Sequence, residues 1–101
     1  MPTFVRVASI SELEPGTAKT VTANGQEIAI YNVDGKIYAT DNTCVHEGGP
    51  LGEGLLQGEL ISCPWHMWDF NVCTGELVNN CRIKLNTFPV EIDGTDIKVG
   101  V

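Results

Sequence analysis

Short apolar and β-branched runs, each cut off by a turn signal, recur along this chain and predict an almost all-β structure. Thr3 to Val7 reads as a first strand. Ser9 to Glu14 has room for one helical turn, capped by Ser9 or Ser11 and stopped at Pro15-Gly16. Thr17 to Ala23 and Gln26 to Val33 flank Asn24-Gly25, a two-residue hairpin signal, and Asp34-Gly35 leads in the same way into Lys36 to Thr40. A third such turn, Asp93-Gly94, is expected to join Phe88–Ile92 to Asp96–Val99. Between these halves, residues 41 to 78 are rich in glycine. They carry only brief apolar runs at Leu55-Leu56 and Leu60-Ile61, with a strand-like Trp68 to Val72 closed by Thr74-Gly75.

The pattern predicts an antiparallel β-sandwich built from both ends of the chain, with a small subdomain inserted at about 41–78 whose loops present a site. Residues 1–101 read as one domain without repeat, linker or low-complexity tract. A chain of 101 residues buries roughly 65% of the surface its unfolded form exposes, which supports a modest core. A group that ties two loops together therefore adds to stability as well as function.

Charge narrows the function classes. Six Lys and Arg against 13 Asp and Glu give a net charge of −7, which argues against a nucleic-acid partner. The acidity serves either solubility or steering towards a basic protein. The opening Met1-Pro2-Thr3-Phe4-Val5-Arg6 has no basic stretch leading into an apolar run, so no signal peptide is expected. No stretch approaches the length of a membrane span, and the expected compartment is the cytoplasm.

Two of the four cysteines are interleaved with the only two histidines, as Cys44-Val45-His46 and, after a gap of sixteen residues, Cys63-Pro64-Trp65-His66. That interleaving favours metal binding over a disulfide framework. A Cys₂His₂ zinc site is the competing reading, but zinc pairs are usually spaced by two to four residues, and Cys-x-His is tighter. The first loop reads C-V-H-E-G-G-P-L from Cys44 to Leu51, and the second C-P-W-H-M-W-D-F from Cys63 to Phe70, then N-V-C-T-G to Gly75. With Phe88-Pro89-Val90-Glu91-Ile92 and Asp93-Gly94 at the tail, the chain resembles the Rieske-type ferredoxins nearly end to end. These are the small electron carriers of multicomponent aromatic-ring oxygenases.

The resemblance implies one [2Fe-2S] cluster, with Cys44 and Cys63 on one iron and His46 and His66 on the other, nearer the solvent. Gly48, Gly49, Gly52 and Gly54 suit loops whose backbone N–H groups approach the inorganic sulfides. Pro64 presets the second loop and holds Cys63 extended. Trp65, Met67 and Trp68 flank His66, as a cover that keeps water from the cluster or as partner contacts. Glu47 reads as a solvated loop residue.

High-potential Rieske proteins resemble one another in an extra cysteine in each loop, where this chain has Gly49 and Trp65. They also carry a Ser and a Tyr two and four residues after the second histidine, where this chain has Trp68 and Phe70. Fewer hydrogen bonds to sulfur leave the added electron less stabilised, so a potential near about −150 mV is expected. Cys73 reads as a small buried thiol, with a bridge to Cys81 as the lesser alternative. Many relatives place prolines where this chain has Asn79-Asn80-Cys81-Arg82.

The function implied is a soluble one-electron shuttle from a flavin-dependent NAD(P)H reductase to a terminal oxygenase, through transient contacts. The alternative is a small subunit of a reductase complex such as assimilatory nitrite reductase. The chain is not expected to be an enzyme by itself. A mononuclear oxygenase iron needs two further histidines, and Gly52-x-Gly54 followed by Gly58 does not make a nucleotide-binding turn.

Overall fold

The structure, a computed structural model, describes residues 3–42, 51–62, 69–78 and 80–101, the side chains of residues 80–83 excepted. Its strands are β1 (Phe4–Ser9), β2 (Ala18–Ala23), β3 (Gln26–Val33), β4 (Lys36–Asp41), β5 (Leu55–Gln57), β6 (Leu60–Ser62), β7 (Asp69–Asn71), β8 (Glu76–Leu77), β9 (Asn80–Lys84), β10 (Thr87–Phe88), β11 (Val90–Asp93) and β12 (Asp96–Gly100). Short 3-10 turns lie at Ile10–Glu12 and Leu51–Glu53. The first is shorter than the expected Ser9–Glu14, and the Glu12 carboxylate accepts the Ser9 N–H at 2.7 Å. That bond holds the Glu12 carboxyl below its usual range.

The strands form three antiparallel sheets, ordered β1-β12-β11, β10-β4-β3-β2 and β5-β6-β7-β8-β9. The first two come from both ends of the chain, as the sequence pattern predicts. The third is the insert, and β9 carries it beyond Val78 to Lys84. Asp41 and Asn86 close its neck: the Asp41 N–H donates to Asn86 O, and the Asn86 N–H to Asp41 Oδ2, each at 3.0 Å.

Strand β3 is buried on both faces, and its alternation sorts side chains between two cores. Ile28 and Ile30 join Ala8, Leu13, Ile97 and Val99 against the terminal sheet. Ala29 and Tyr31 point the other way, into a cluster with Leu51, Leu56, Ile61, Phe70 and Leu77 from the insert. A strand that serves two cores reads as a continuous apolar run, as Ile28-Ala29-Ile30-Tyr31 does. The Tyr31 hydroxyl meets Thr40 Oγ1 at 2.7 Å. Thr40 directs its own proton to Asp41 O, so Tyr31 is the donor. Burial pushes the Tyr31 hydroxyl pKa upward and keeps it a neutral donor.

Two hairpins match the expected turns. Ala23 pairs with Gln26 and Val33 with Lys36, and Asn24, Gly25, Asp34 and Gly35 all have positive φ. The third turn lies one residue later than expected. Asp93 pairs with Asp96, so Gly94-Thr95 is the loop and Gly94 takes the positive φ.

The expected strand Phe88–Ile92 is split at Pro89. Thr87 and Phe88 pair with β4, whereas Val90 to Asp93 pair with β12. Proline has no N–H for a ladder, and Pro89 contributes only its carbonyl, which accepts the Gly100 N–H at 2.9 Å. The chain changes sheets there. Residues 80–84 form β9 against β8.

Ile30→Ala removes a fully buried side chain from the terminal core alone. It should lower the free energy of unfolding by about 2–5 kcal/mol in urea titrations while leaving the visible spectrum unchanged. A spectrum lost in the folded variant would mean that the two cores do not act separately.

Candidate metal centre

The structure describes the ground on which both ligand loops stand. The first spans 43–50, and its two flanks meet directly: the Leu51 N–H donates to Asn42 O at 2.6 Å. Asn42, only 3% exposed, is the clamp. Its Oδ1 accepts the Gly52 N–H at 2.8 Å and the Thr20 hydroxyl at 3.0 Å, and its Nδ2 donates to Glu27 Oε2 at 3.2 Å. An amide oxygen has two lone pairs, and both are used.

The second loop spans 63–68. Its flanks are paired strand ends, Ser62 opposite Asp69, and the Ser62 hydroxyl donates to Asp69 Oδ1 at 2.5 Å. The two bases also touch each other. Leu55 pairs with Ser62, and a methyl group on Gly54 would be driven into the Ser62 carbonyl oxygen. On the other side, a methyl group on Gly52 would strike the backbone and hydroxyl of Thr20. Only glycine permits both approaches, and through Gly54 the second of the two loops begins a backbone contact away from the flank of the first.

This changes the reading of two glycines. Gly52 and Gly54 direct their N–H groups to Asn42 Oδ1 and Leu51 O, not towards a cluster. Their smallness serves backbone packing between the loop bases. Cys44, His46, Gly48, Gly49, Cys63, Pro64, Trp65, Met67 and Trp68, with His66 and Glu47, lie outside the described residues. Among the described residues no group of His, Cys, Asp and Glu could hold a metal. Asn42 was not evident from the sequence, because Thr20, Glu27 and Gly52 come to it from separate elements.

Phe70 is fully buried in the insert core. Cys73 is a free, half-buried thiol packed against that core, with Sγ 3.2 Å from Glu59 Oε1. Burial pushes its pKa up, while the Tyr38 hydroxyl beside it pulls the other way and Glu59 adds to the rise. A thiol held neutral is a poor nucleophile, in keeping with an inert packing role. Being free, it makes no bridge to Cys81, whose side chain is not described.

Two loops locked base to base, one carrying Cys-x-His and the other Cys-Pro-Trp-His, define a class of iron–sulfur domain. The chain belongs to the Rieske [2Fe-2S] domain family, which it matches over residues 3–89, and the cofactor of that family is one [2Fe-2S] cluster. The ferredoxin component of the naphthalene 1,2-dioxygenase system of Pseudomonas aeruginosa is 37% identical over 97 residues, covering 95% of this chain and 93% of that protein. A solved complex of reduced oxygenase and oxidized ferredoxin in carbazole 1,9a-dioxygenase contains a chain with 36% identity and a TM-score of 0.89, covering 99% of this chain and 94% of that one. A protein described as an NADH-dependent nitrite reductase small subunit from Mycobacterium tuberculosis has a TM-score of 0.91 over 100% of this chain and 96% of its own. At 18% identity that likeness shows the fold alone.

The donor set suits the family's cluster. Two thiols and two imidazoles are offered in Cys-x-His and Cys-x-x-His pairs from two loops with a common base.

Gly54→Ala tests that base. Its methyl must displace the Ser62 backbone and so part the loops. Iron and acid-labile sulfide should fall to less than about half of one cluster per chain in a variant whose far-UV spectrum is unchanged. Full cluster content would show that the contact does not set the separation of the loops.

Proposed function

We propose that this protein is a one-electron carrier, the ferredoxin component between a flavin-dependent NAD(P)H reductase and a terminal aromatic-ring oxygenase. Residues 1–101 act as one domain, with Cys44 and Cys63 holding one iron through thiolates and His46 and His66 the other through imidazoles. The observation that carries the reading is the joining of the two loop bases, Leu55 against Ser62, at the flanks of the segments that carry those four residues. Kinship with ferredoxin components over nearly their whole length supports it. The nitrite reductase alternative draws only on likeness of fold. A subunit of that kind would co-purify with a large partner, whereas a carrier is isolated alone.

When bound, the cluster takes up one electron and releases it. The chain's own work is to hold the donors at a fixed separation, so that little rearranges between the two redox states. Asn42 fixes the flanks of the first loop and the Ser62–Asp69 pair those of the second. The imidazoles of His46 and His66 would be the exit for an electron, and Trp65, Met67 and Trp68, which flank His66 in the sequence, would exclude water or meet the partner. With both histidines so engaged, none remains for a mononuclear iron, so the chain is no catalyst by itself. Contacts with reductase and oxygenase are small and brief, and the protein works in the cytoplasm.

The deciding experiment is an EPR spectrum of the reduced protein with its midpoint potential, expected near about −150 mV. His66→Ala should abolish the Rieske-type visible spectrum. A spectrum retained by that variant would take His66 out of the donor set.

Phe70 tunes the potential by what it lacks. Its ring fills a fully buried site next to the loop bases and offers no donor to sulfur. Phe70→Tyr should raise the midpoint by about 40–65 mV, the one-electron equivalent of a net hydrogen bond of about 1–1.5 kcal/mol. If the hydroxyl finds no acceptor, the variant instead loses about 1–3 kcal/mol of stability at an unchanged potential, and the tuning argument fails.

A further inference from the structure

The insert's sheet has one face in the core and one without a partner among the described residues. Its core face is Leu56, Ile61, Phe70 and Leu77. Strand alternation sends their neighbours outward. Leu55, Ser62 and Asp69 lie side by side across β5, β6 and β7, and Val78 completes the row through its N–H to Asp69 O at 2.9 Å. Leu60 and Glu76 stand in the next row.

Leu55 and Val78 are 58% and 53% exposed, the two most exposed of the large apolar side chains among the described residues. At about 4.8 Å per strand they stand roughly 14 Å apart, on either side of the Ser62–Asp69 pair. Beside them an open depression of about 350 Å³ is lined by Leu60, Asn71, Glu76 and Val78, among others. Isolated exposed apolar residues are ordinary, but this row flanks the segment that carries Cys63 and His66.

Charge bears on what covers the face. Between Lys36 and Arg82 the sequence has Asp41, Glu47, Glu53, Glu59, Asp69 and Glu76 and not one lysine or arginine. The rest of the chain, seven acids against six cations, is nearly neutral. Taken to the end of β9, the insert adds Arg82 and Lys84, the latter paired across the strands with Glu76, so it carries −4 of the net −7 and still presents a negative end to a partner.

We propose that the outer face of this sheet is a lateral docking surface for the terminal oxygenase. The oxygenase meets it with apolar side chains against Leu55 and Val78, and with lysine or arginine side chains against Asp69 and Glu76. This rests on the carrier function proposed above and adds to it a face beside the ligand loops. Apolar contacts at Leu55 and Val78 fix register and residence, while the carboxylates speed encounter.

The test is a binding titration of the cluster-loaded protein against the oxygenase component of carbazole 1,9a-dioxygenase, at low and high salt. Leu55→Ser with Val78→Ser should weaken Kd roughly tenfold, with the visible spectrum and midpoint potential unchanged. Glu76→Gln should flatten the salt dependence. Ile92→Ser, an exposed apolar residue of the terminal sheet, should leave Kd unaltered. If wild type binds and passes electrons while the double variant binds equally well, the face is wrong and the carrier function stands. Equal weakening by Ile92→Ser also overturns the face. If wild type neither binds nor reduces the oxygenase, the carrier reading falls and takes the face with it.

Discussion

The arrangement depends on one strand being buried from both sides. Ile28 and Ile30 of β3 close the core shared with the terminal sheet, and Ala29 and Tyr31 close the core shared with the insert. The insert has little else to stand on, because its own strands are two to five residues long. Strands so short are marginal in isolation and need a packed face beneath them. The small side chain of Ala29 lets the sheets approach, and Tyr31 fills the remaining space while its hydroxyl is satisfied by Thr40. From this follows the rigidity of everything above: the glycines that let backbones touch, the Asn42 clamp, and the two loop bases that cannot move independently.

That rigidity has a functional meaning for an electron carrier. Both oxidation states must be accommodated by the same loops, and reorganisation slows transfer. The protein achieves this largely with neutral hydrogen-bonding groups at the loop bases. Asn42 and Ser62 are such groups, and the carboxylates they meet, Glu27 and Asp69, each accept a hydrogen bond from them. Phe70 completes the pattern by filling core volume with a ring that has no proton to offer. Packing is thus served by a side chain that brings no hydrogen-bond donor, whereas a tyrosine there would trade apolar packing for a hydrogen bond.

Local chemistry was legible in the sequence, and tertiary choices were not. Asn24-Gly25 and Asp34-Gly35 specify their turns because few other residues accept positive φ at two successive positions. Asp93-Gly94 has the same letters, yet pairing of Asp93 with Asp96 moves the loop on by one residue. Pro89 was visible, but that it would send two halves of one apolar run to different sheets depends on β4 and β12 lying on either side. The two residues of β8 are too few to show any period. For the centre, the four ligand candidates stand out by residue type and spacing alone, since Cys-x-His pairs are rare. Asn42 does not, because a buried amide is recognised only by its partners, and those are 22, 15 and 10 residues away in the chain.

The glycines show where residue type misleads. Four glycines around Cys44 and His46 invite a single explanation, backbone donors aimed at sulfide. Gly52 and Gly54 answer to another constraint: each lies where a β-carbon would meet the backbone of a neighbouring strand, and each already spends its N–H inside the protein. With the N–H of each already donated inside the protein, neither has one left for a sulfide. A glycine-rich loop beside a metal motif can therefore be divided by position. Glycines nearest the helical turn at Leu51–Glu53 build the platform, and any donors to a cluster must come from elsewhere in the loops.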